Sequence, residues 1–534
     1  MKNYFMEKSK VKFVGILICL LLITCSGTLL ADSEKNLSPS ESRLIAALRS
    51  YIPHVLRLSG TPGLNIALAR RNKIFWEEGF GYADLEQKIP MTAQTVFHSG
   101  SMGKTYVVTS IMQLVERGVI NLYDPINLYL KEFKVSNPLG EREITFYDLL
   151  THRSGLAINM AGCHYVSPKP LGEHLKEGYS QSTFKSYKGT WLPRWSHKVG
   201  ETYQYSNFGM ATLGYLVEIT NPEGLSFSEY VQKNIMDPLG MTSSMYPPVQ
   251  DAKHIRADIF KRMSKGYAMF GPVDIPTPTI YFADYPAGTV VSIPGDHIRL
   301  LLAYMNEGTY NGYQLLKPET VQHILTPQLE INYKGFSHKG LTWYLGDINK
   351  PNFHFGHGGA HMFGWRNDFR AFPNRDLAFV IATNHWTMVP RHRMELDLIE
   401  GFLDSWMEHE NKDEPKTYPE ASWAWKTSYV IGLMMVDALH GTMGIEEPLT
   451  KDMVEAMANG AKVRTEAENG VSVWDPAGFR AGVEDMLSVD MTVKEVRAFV
   501  TSDRMRVAPE ELMFLYKELG GRTRPFPYLF TDFY

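Results

Sequence analysis

The tetrapeptide Ser101-Met-Gly-Lys104 follows Gly100 and opens a segment, Lys104 to Gly118, in which Val107, Ile111, Leu114 and Val115 recur at helical spacing. A serine and a lysine three apart on a first helical turn share one face, one above the other. There the amine can take the hydroxyl proton, while the helix N-terminus favours negative charge building on the serine and its substrate. An exposed lysine, with a pKa of about 10.4, is a poor base at neutral pH. Burial and positive surroundings lower that value, so the chemistry predicts a buried Lys104. Ser9…Lys12 repeats the spacing inside the N-terminal export-like segment, and Ser182…Lys185 in a polar stretch without helical periodicity; only Ser101 combines a preceding glycine, a helix start and an apolar helix. Gly103-Lys104-Thr105 does not complete a phosphate-binding loop, because the required earlier glycine is His98.

Two further groups can serve such a pair. Tyr205-Ser206-Asn207 follows Gly200, a turn position. A tyrosine hydroxyl beside a lysine amine can exchange protons and relay them to a leaving group. Asn207 carries both a donor and an acceptor, enough to hold Lys104 and a substrate carbonyl. The competing Tyr304-Met-Asn306 ends an apolar helix before Gly308 and reads as core packing. Gly356-His357-Gly358-Gly359-Ala360 follows Phe353-His-Phe355, and glycines on a strand admit close backbone approach to a ligand. The Ala360 N–H can pair with that of Ser101 as an oxyanion hole. His354, His357 and His361 form no metal site by this reading. Positions 354 and 357 face opposite sides of a strand, and no carboxylate lies among them. No cofactor motif is present.

The elements that must hold these groups can be outlined. Ser42 to Leu56 reads as a helix, and Gly63-Leu-Asn-Ile-Ala-Leu-Ala and Lys73 to Gly81 as two strands joined by Arg71-Asn72. Mixed helix and loop run to about Asp284. A helix spans Asp296 to Asn306, strands lie at Phe353 to Phe355 and Leu377 to Thr383, and a helix from about Arg391 to Met407 closes this body. Strands at both ends with helices between predict an α+β fold, one antiparallel sheet built from both termini beside a helical cluster.

The rest of the chain bounds the setting. With 534 residues and 44% hydrophobic content there is ample material for a large core. A net charge of -4 without a basic tract argues against nucleic acid. Lys2, Lys8, Lys10 and Lys12 precede an apolar run from Phe13 to Ile23 and then small residues, the order of a secretory signal peptide over 1–31. An uncleaved membrane anchor is the alternative, and both place the protein outside the cytoplasm, periplasmic or extracellular. Cys19 and Cys25 lie in that segment, leaving Cys163 alone and no disulfide to expect. Residues 32–410 form the hydrolase-like body, 411–420 a charged, proline-containing linker, and 421–534 a helical extension of unassigned role.

In order, Ser-x-x-Lys, Tyr-x-Asn and His-x-Gly resemble the serine β-lactamase and penicillin-binding-protein superfamily. The branch is that of class C β-lactamases, D-aminopeptidases, family VIII carboxylesterases and D-Ala-D-Ala carboxypeptidases. Thr61-Pro-Gly-Leu-Asn-Ile-Ala, Gly79-Phe-Gly-Tyr-Ala-Asp84, Leu149-Leu-Thr-His-Arg-Ser-Gly-Leu156, Asp237-Pro-Leu-Gly-Met-Thr242 and Pro286-Ala-Gly288 extend the likeness over roughly residues 42 to 405. The resemblance implies that Ser101 attacks, that Lys104 and Tyr205 share base and acid duties, that Asn207 orients substrate, and that Ser101 and Ala360 form the oxyanion hole. The implied substrate is an ester or amide of a small molecule or short peptide, including peptides with D-residues. A non-catalytic peptidoglycan-binding protein or scaffold of the same fold, or an acyltransferase, are the alternatives. The departure is His357 with Gly358, where dedicated β-lactamases carry mostly Lys and often Thr. A neutral histidine is a weak partner for a substrate carboxylate, which lowers the expectation of β-lactam turnover. Aromatics in Gly162 to Trp195 and Ile255 to Tyr281, among them Tyr165, Trp191, Trp195, Tyr267, Phe270 and Tyr281, are candidates for a substrate pocket.

Overall fold

A computed structural model describes residues 37–157, 163–164, 169–185, 191–247, 256–270, 273–277, 281–361, 364–387 and 394–409, with isolated positions between 454 and 484. The expected signal segment and linker lie outside the described residues, as does nearly all of the helical extension.

Helix α1 (Pro39–Ser59) starts at a reciprocal cap between Ser38 and Glu41 and ends at Gly60 in the left-handed conformation. Strands β1 (Gly63–Arg70) and β2 (Lys73–Asp84) form the hairpin that the sequence predicts, with the two-residue Ile89–Pro90 as β3. Helix α2 (Lys104–Glu116) is the central helix, α3 (Leu171–Ser180) and α4 (Asn207–Thr220) lie in the helical cluster, and α5 is Pro294–Met305. Then come β4 (Leu329–Tyr333), β5 (Phe336–Lys339), β6 (Tyr344–Gly346), β7 (His354–His361), β8 (Trp365–Phe372), β9 (Leu377–Thr383) and helix α6 (Met394–His409).

The main sheet has nine strands in the order β4-β5-β6-β7-β8-β9-β1-β2-β3, with antiparallel neighbours throughout. The N-terminal hairpin therefore joins the C-terminal strands through β1 and β9, as expected of an α+β fold built from both ends. Three strands between Leu329 and Gly346, and all of β8, were not legible from the sequence, and β7 runs on to His361, well past the short strand expected at Phe353 to Phe355. In Trp365–Phe372 the alternation of Trp365, Phe369 and Ala371 with Arg366, Asp368 and Arg370 is interrupted by Asn367, and its charged residues are buried, so it does not read as a core strand.

Side-chain size decides which layer covers which face. On β1, Leu64, Ile66 and Leu68 point to the α1 and α6 side, where they meet Leu48, Ile52, Leu396 and Leu403. The alternate residues Ala67 and Ala69, with Ala378, Val380 and Ala382 of β9, face the large core around α2, α4 and α5. Their small size lets α5 pack close to the sheet. Helix α2 is buried from Lys104 to Leu114. Its hydroxyls are satisfied internally, Thr109 donating to Thr105 O at 2.7 Å and Ser110 to Tyr106 O at 2.8 Å. The tyrosine of the competing motif, Tyr304, is buried and bonded to Thr109 at 2.9 Å, a core residue as expected.

Candidate active site

Ser101 sits in a 3-10 turn, Gly100–Gly103, that feeds directly into α2. The sequence placed it on the first α-helical turn, and the tighter turn strengthens the pairing, since residues three apart eclipse one another there. Lys104 Nζ lies 2.9 Å from Ser101 Oγ and donates to the Ala287 carbonyl at 2.7 Å. The lysine is fully buried. Burial brings its pKa down to about 7, and the Asp284 carboxylate opposes that shift. An amine in that range is free base in useful fraction at neutral pH, which is what proton removal from Ser101 requires.

Tyr205 approaches the same pair. Lys104 Nζ is 4.9 Å from the Tyr205 ring centroid. Packing around the phenol holds its pKa well above the usual value, with the Ser101 hydroxyl bonded to it acting the other way. It is thus a proton donor rather than a phenolate base. His152 fixes Tyr205 from both sides of the chain. It has a left-handed backbone, φ 55°. Its carbonyl accepts from Gln204 N–H at 2.8 Å, and its Nδ1 accepts from Ser206 N–H at 3.2 Å. Its ring lies 4.6 Å from that of Tyr205. Ser206 then caps α4 through Gly209 N–H, which leaves Asn207 half-buried at the first helical position.

Strand β7 closes the site. β6 pairs only with His354 to Gly356, so one edge of His357 to Ala360 is left for the Gly100 turn. Gly100 has φ 56°, and a β-carbon there would meet the Ala360 nitrogen at 2.6 Å. A β-carbon at Gly359 would collide with the Ser99 carbonyl. Glycine at these two positions is what lets the Ser101 and Ala360 backbones converge. Gly358 is half-buried and lines the cleft beside them.

His357 is buried, and its Nδ1–H donates to the Gly358 carbonyl at 2.6 Å. Burial, then the Lys339 and Lys104 charges, holds its pKa well below the ordinary histidine value. A neutral ring agrees with the expectation of a weak anion partner. His354 packs on Phe336 and Phe372, whereas His361 stacks on His98, so the three histidines have separate surroundings. Among the described residues no three His, Cys, Asp or Glu side chains are grouped to hold a metal.

Ser101, Tyr205, His357, Gly358, Gly359 and Ala360 open on one cleft of ≈ 560 Å³. Its aromatic wall is not the one expected from the sequence. Tyr203, Tyr333 and Tyr344 form it, with Tyr333 stacked on Tyr344 at 4.8 Å and the Tyr203 and Tyr344 hydroxyls 3.3 Å apart. Tyr267 is buried and bonds Glu86 and Leu85 instead, Trp195 packs on Tyr179, and Trp191 is 66% exposed. Tyr165 and the side chains of Phe270 and Tyr281 lie outside the described residues. The missed residues had weak signals. His152 stood inside Leu149 to Leu156, Asp284 stood two before Pro286, and Tyr203 two before Tyr205. Tyr333 and Tyr344 come from the hairpin region that the periodicity did not reveal.

The chain is similar to known proteins in sequence and in fold. The Beta-lactamase family profile matches residues 48–402. Protein Rv1367c of Mycobacterium tuberculosis is 25% identical over 351 residues, spanning 59% of this chain and 84% of that protein. Protein flp of Staphylococcus aureus is 25% identical over 303 residues, 56% of this chain and 52% of its own. Among solved structures, the octameric penicillin-binding protein homologue from Pyrococcus abyssi superposes with a TM-score of 0.53 at 23% identity, covering 64% of this chain and 73% of its own. D-amino acid amidase from Ochrobactrum anthropi SV3 does so at 0.50 and 20%, covering 64% and 92%. At such identities the structural likeness shows the fold alone.

Proposed function

The chain belongs to the β-lactamase family, and on that footing we propose that it is an acyl-enzyme serine hydrolase cleaving esters or amides of small molecules or short peptides. The observation that carries the reading is the 2.9 Å contact between Ser101 Oγ and a fully buried Lys104 amine.

The division of labour follows from the two proton affinities. Lys104 is the base and Tyr205 the acid. As Ser101 Oγ bonds to the substrate carbonyl carbon, its proton moves to Lys104 Nζ and the carbonyl electron pair moves onto oxygen. The Ser101 and Ala360 N–H groups receive that oxyanion. Collapse expels the leaving group, which takes the Tyr205 hydroxyl proton, and the Lys104 ammonium returns a proton to Tyr205. Water repeats the sequence to release the acyl group.

At the His357 end the cleft presents a neutral imidazole, while Lys334 and Arg366 are the cations of its lining. The neutral imidazole there gives a carboxylate little to bind, while the tyrosine wall suits an apolar or aromatic group. This supports ester or amide hydrolysis, including peptides with D-residues, over β-lactam turnover. The N-terminal pattern supports export, with the first segment either removed or retained as an anchor.

Hydrolysis of a short-chain nitrophenyl ester by wild type beside Ser101→Ala tests the reading. The variant is expected to lose activity by about 10³-fold or more. Equal activity in both would remove Ser101 as the nucleophile.

A further inference from the structure

The turn that accepts from Lys104 Nζ carries an acid, paired with an imidazole, that the chemistry above does not use. His174 of α3 lies with Nε2 2.7 Å from Asp284 Oδ1. An ionised carboxylate only accepts, so the ring Nε2–H donates. The Asp284 side chain is 4% exposed, and its Oδ2 finds no partner among the described residues. Asp284 also begins the turn that grips the catalytic amine. Its carbonyl accepts from Ala287 N–H at 2.8 Å, and the Ala287 carbonyl accepts from Lys104 Nζ at 2.7 Å. The turn is wedged in the core, for Tyr285, Pro286 and Ala287 are all buried, and the ring of Pro286 fills the space over Gly214 of α4.

Among the charged and titratable groups around Lys104, Asp284 is the one that favours its protonated form. From the other packed elements come His152 after the Leu149 segment, Tyr205 before α4, His357 on β7 and Lys339 on β5. Asp284 in turn faces His174 and Tyr179 of α3 and Arg194. A buried carboxylate with an unfilled oxygen is costly to keep as mere packing. It becomes useful when a positive charge forms nearby in a low-dielectric site, because its attraction is then weakly screened.

We infer that Asp284, pinned by His174, is a positioning residue whose negative charge stabilises the Lys104 ammonium formed as Ser101 attacks. The inference rests on the hydrolase reading above. It assigns α3, which carries His174, a part in the reaction although α3 contributes nothing to the cleft wall.

The test follows the pH dependence of Ser101 labelling by a fluorophosphonate, and of nitrophenyl ester turnover, in the full chain. Asp284→Asn keeps the shape and removes the charge. Its acid limb is expected to move down by about one pH unit and its maximal rate to fall roughly tenfold, since the amine is less basic and its ammonium less supported. His174→Phe leaves the carboxylate without its donor, which favours its protonation, and the partial loss of its charge moves the limb in the same direction by less. A fastener joining α3 to the turn would lower the melting temperature and leave both limbs in place. Labelled wild type with unmoved limbs in Asp284→Asn therefore overturns the inference while the hydrolase reading stands. An unlabelled wild type overturns the hydrolase reading itself. Where Asp284→Asn does not accumulate folded, His174→Phe decides, and an unmoved limb there overturns the inference.

Discussion

Lys339 Nζ lies 3.7 Å from the ring centroid of Tyr344, a residue of the cleft wall. The amine is fully buried and donates to the Thr342 carbonyl at 2.7 Å. The ring face gives an ammonium partial support. Burial and then the Lys104 charge nonetheless hold its pKa well below the ordinary lysine value. The site thus contains two buried amines, one against the nucleophile and one against the substrate wall.

Lys339→Met separates these influences. A lysine whose folded pKa is depressed binds fewer protons folded than unfolded, so stability rises with pH toward the unfolded value of about 10.4. As pH falls below that value the wild type loses about 1.4 kcal/mol per unit through this one group, until the folded pKa is reached. Lys339→Met is expected to be the more stable protein at pH 7, with a margin that widens as pH falls. Denaturant melts from pH 9 to pH 6 check this. A margin independent of pH would mean that the folded amine stays protonated.

Lys104 sets the activity profile. Its neutral form is the base, and its pKa is brought down to about 7. The rate of ester hydrolysis at low substrate is expected to rise with pH through that region and level off above it. Lys104→Met should abolish the limb and reduce the rate by about 10²–10⁴-fold. A limb retained in Lys104→Met would assign the titration to another group.

Much of the site was legible because it is written in local sequence. Ser101 and Lys104 are three apart on one turn, and Tyr205 and Asn207 flank one helix start, so composition and spacing carried them. The groups that tune them were not local. Asp284 is brought near Lys104 only because Pro286 wedges its turn against Gly214. Lys339 reaches the tyrosine wall only through the β5–β6 pairing, in which it sits opposite Tyr344. Strands β4 and β5 are short and carry polar residues at their exposed positions, and β6 is only three buried residues, so their periodicity is weak. In the large sheet the hairpin β1–β2, the strand Leu377 to Thr383 and their meeting in one sheet were readable, but the register of β9 on β1 was not, because spacing within a segment says nothing of a partner so distant in the chain.

The junction of the Gly100 turn with β7 makes a steric prediction. Gly100 combines a left-handed backbone with a space that ends 2.6 Å from the Ala360 nitrogen. Gly100→Ala must push Ala360 away and so spoil one of the two N–H groups proposed to hold the oxyanion. Turnover is expected to fall roughly 10²–10³-fold, mostly in kcat, with the Lys104 limb unmoved. Gly118→Ala serves as the control. That glycine also has a positive φ but meets nothing within 4 Å, so it should cost stability from backbone strain without loss of kcat.

Buried neutral histidines should set the acid limit of the fold. Burial brings the pKa of His98 down to about 4, of His297 to about 3 and of His354 to about 4. For each, the unfolded chain binds the proton first, at about pH 6.5. Stability is then complete above about pH 6.5 and falls as pH drops toward the folded values. His297 shows why the folded state resists the charge. Its Nδ1 shares a hydrogen bond of 2.7 Å with the Tyr106 hydroxyl, and the surrounding core offers a charged ring no solvation. The melting temperature should therefore decline steeply between about pH 6.5 and 4. His98→Phe, which keeps the aromatic contact with Trp365, is expected to flatten part of that decline. An unchanged slope in this variant would show that the His98 ring is already protonated in the folded protein and that the acid limit lies elsewhere.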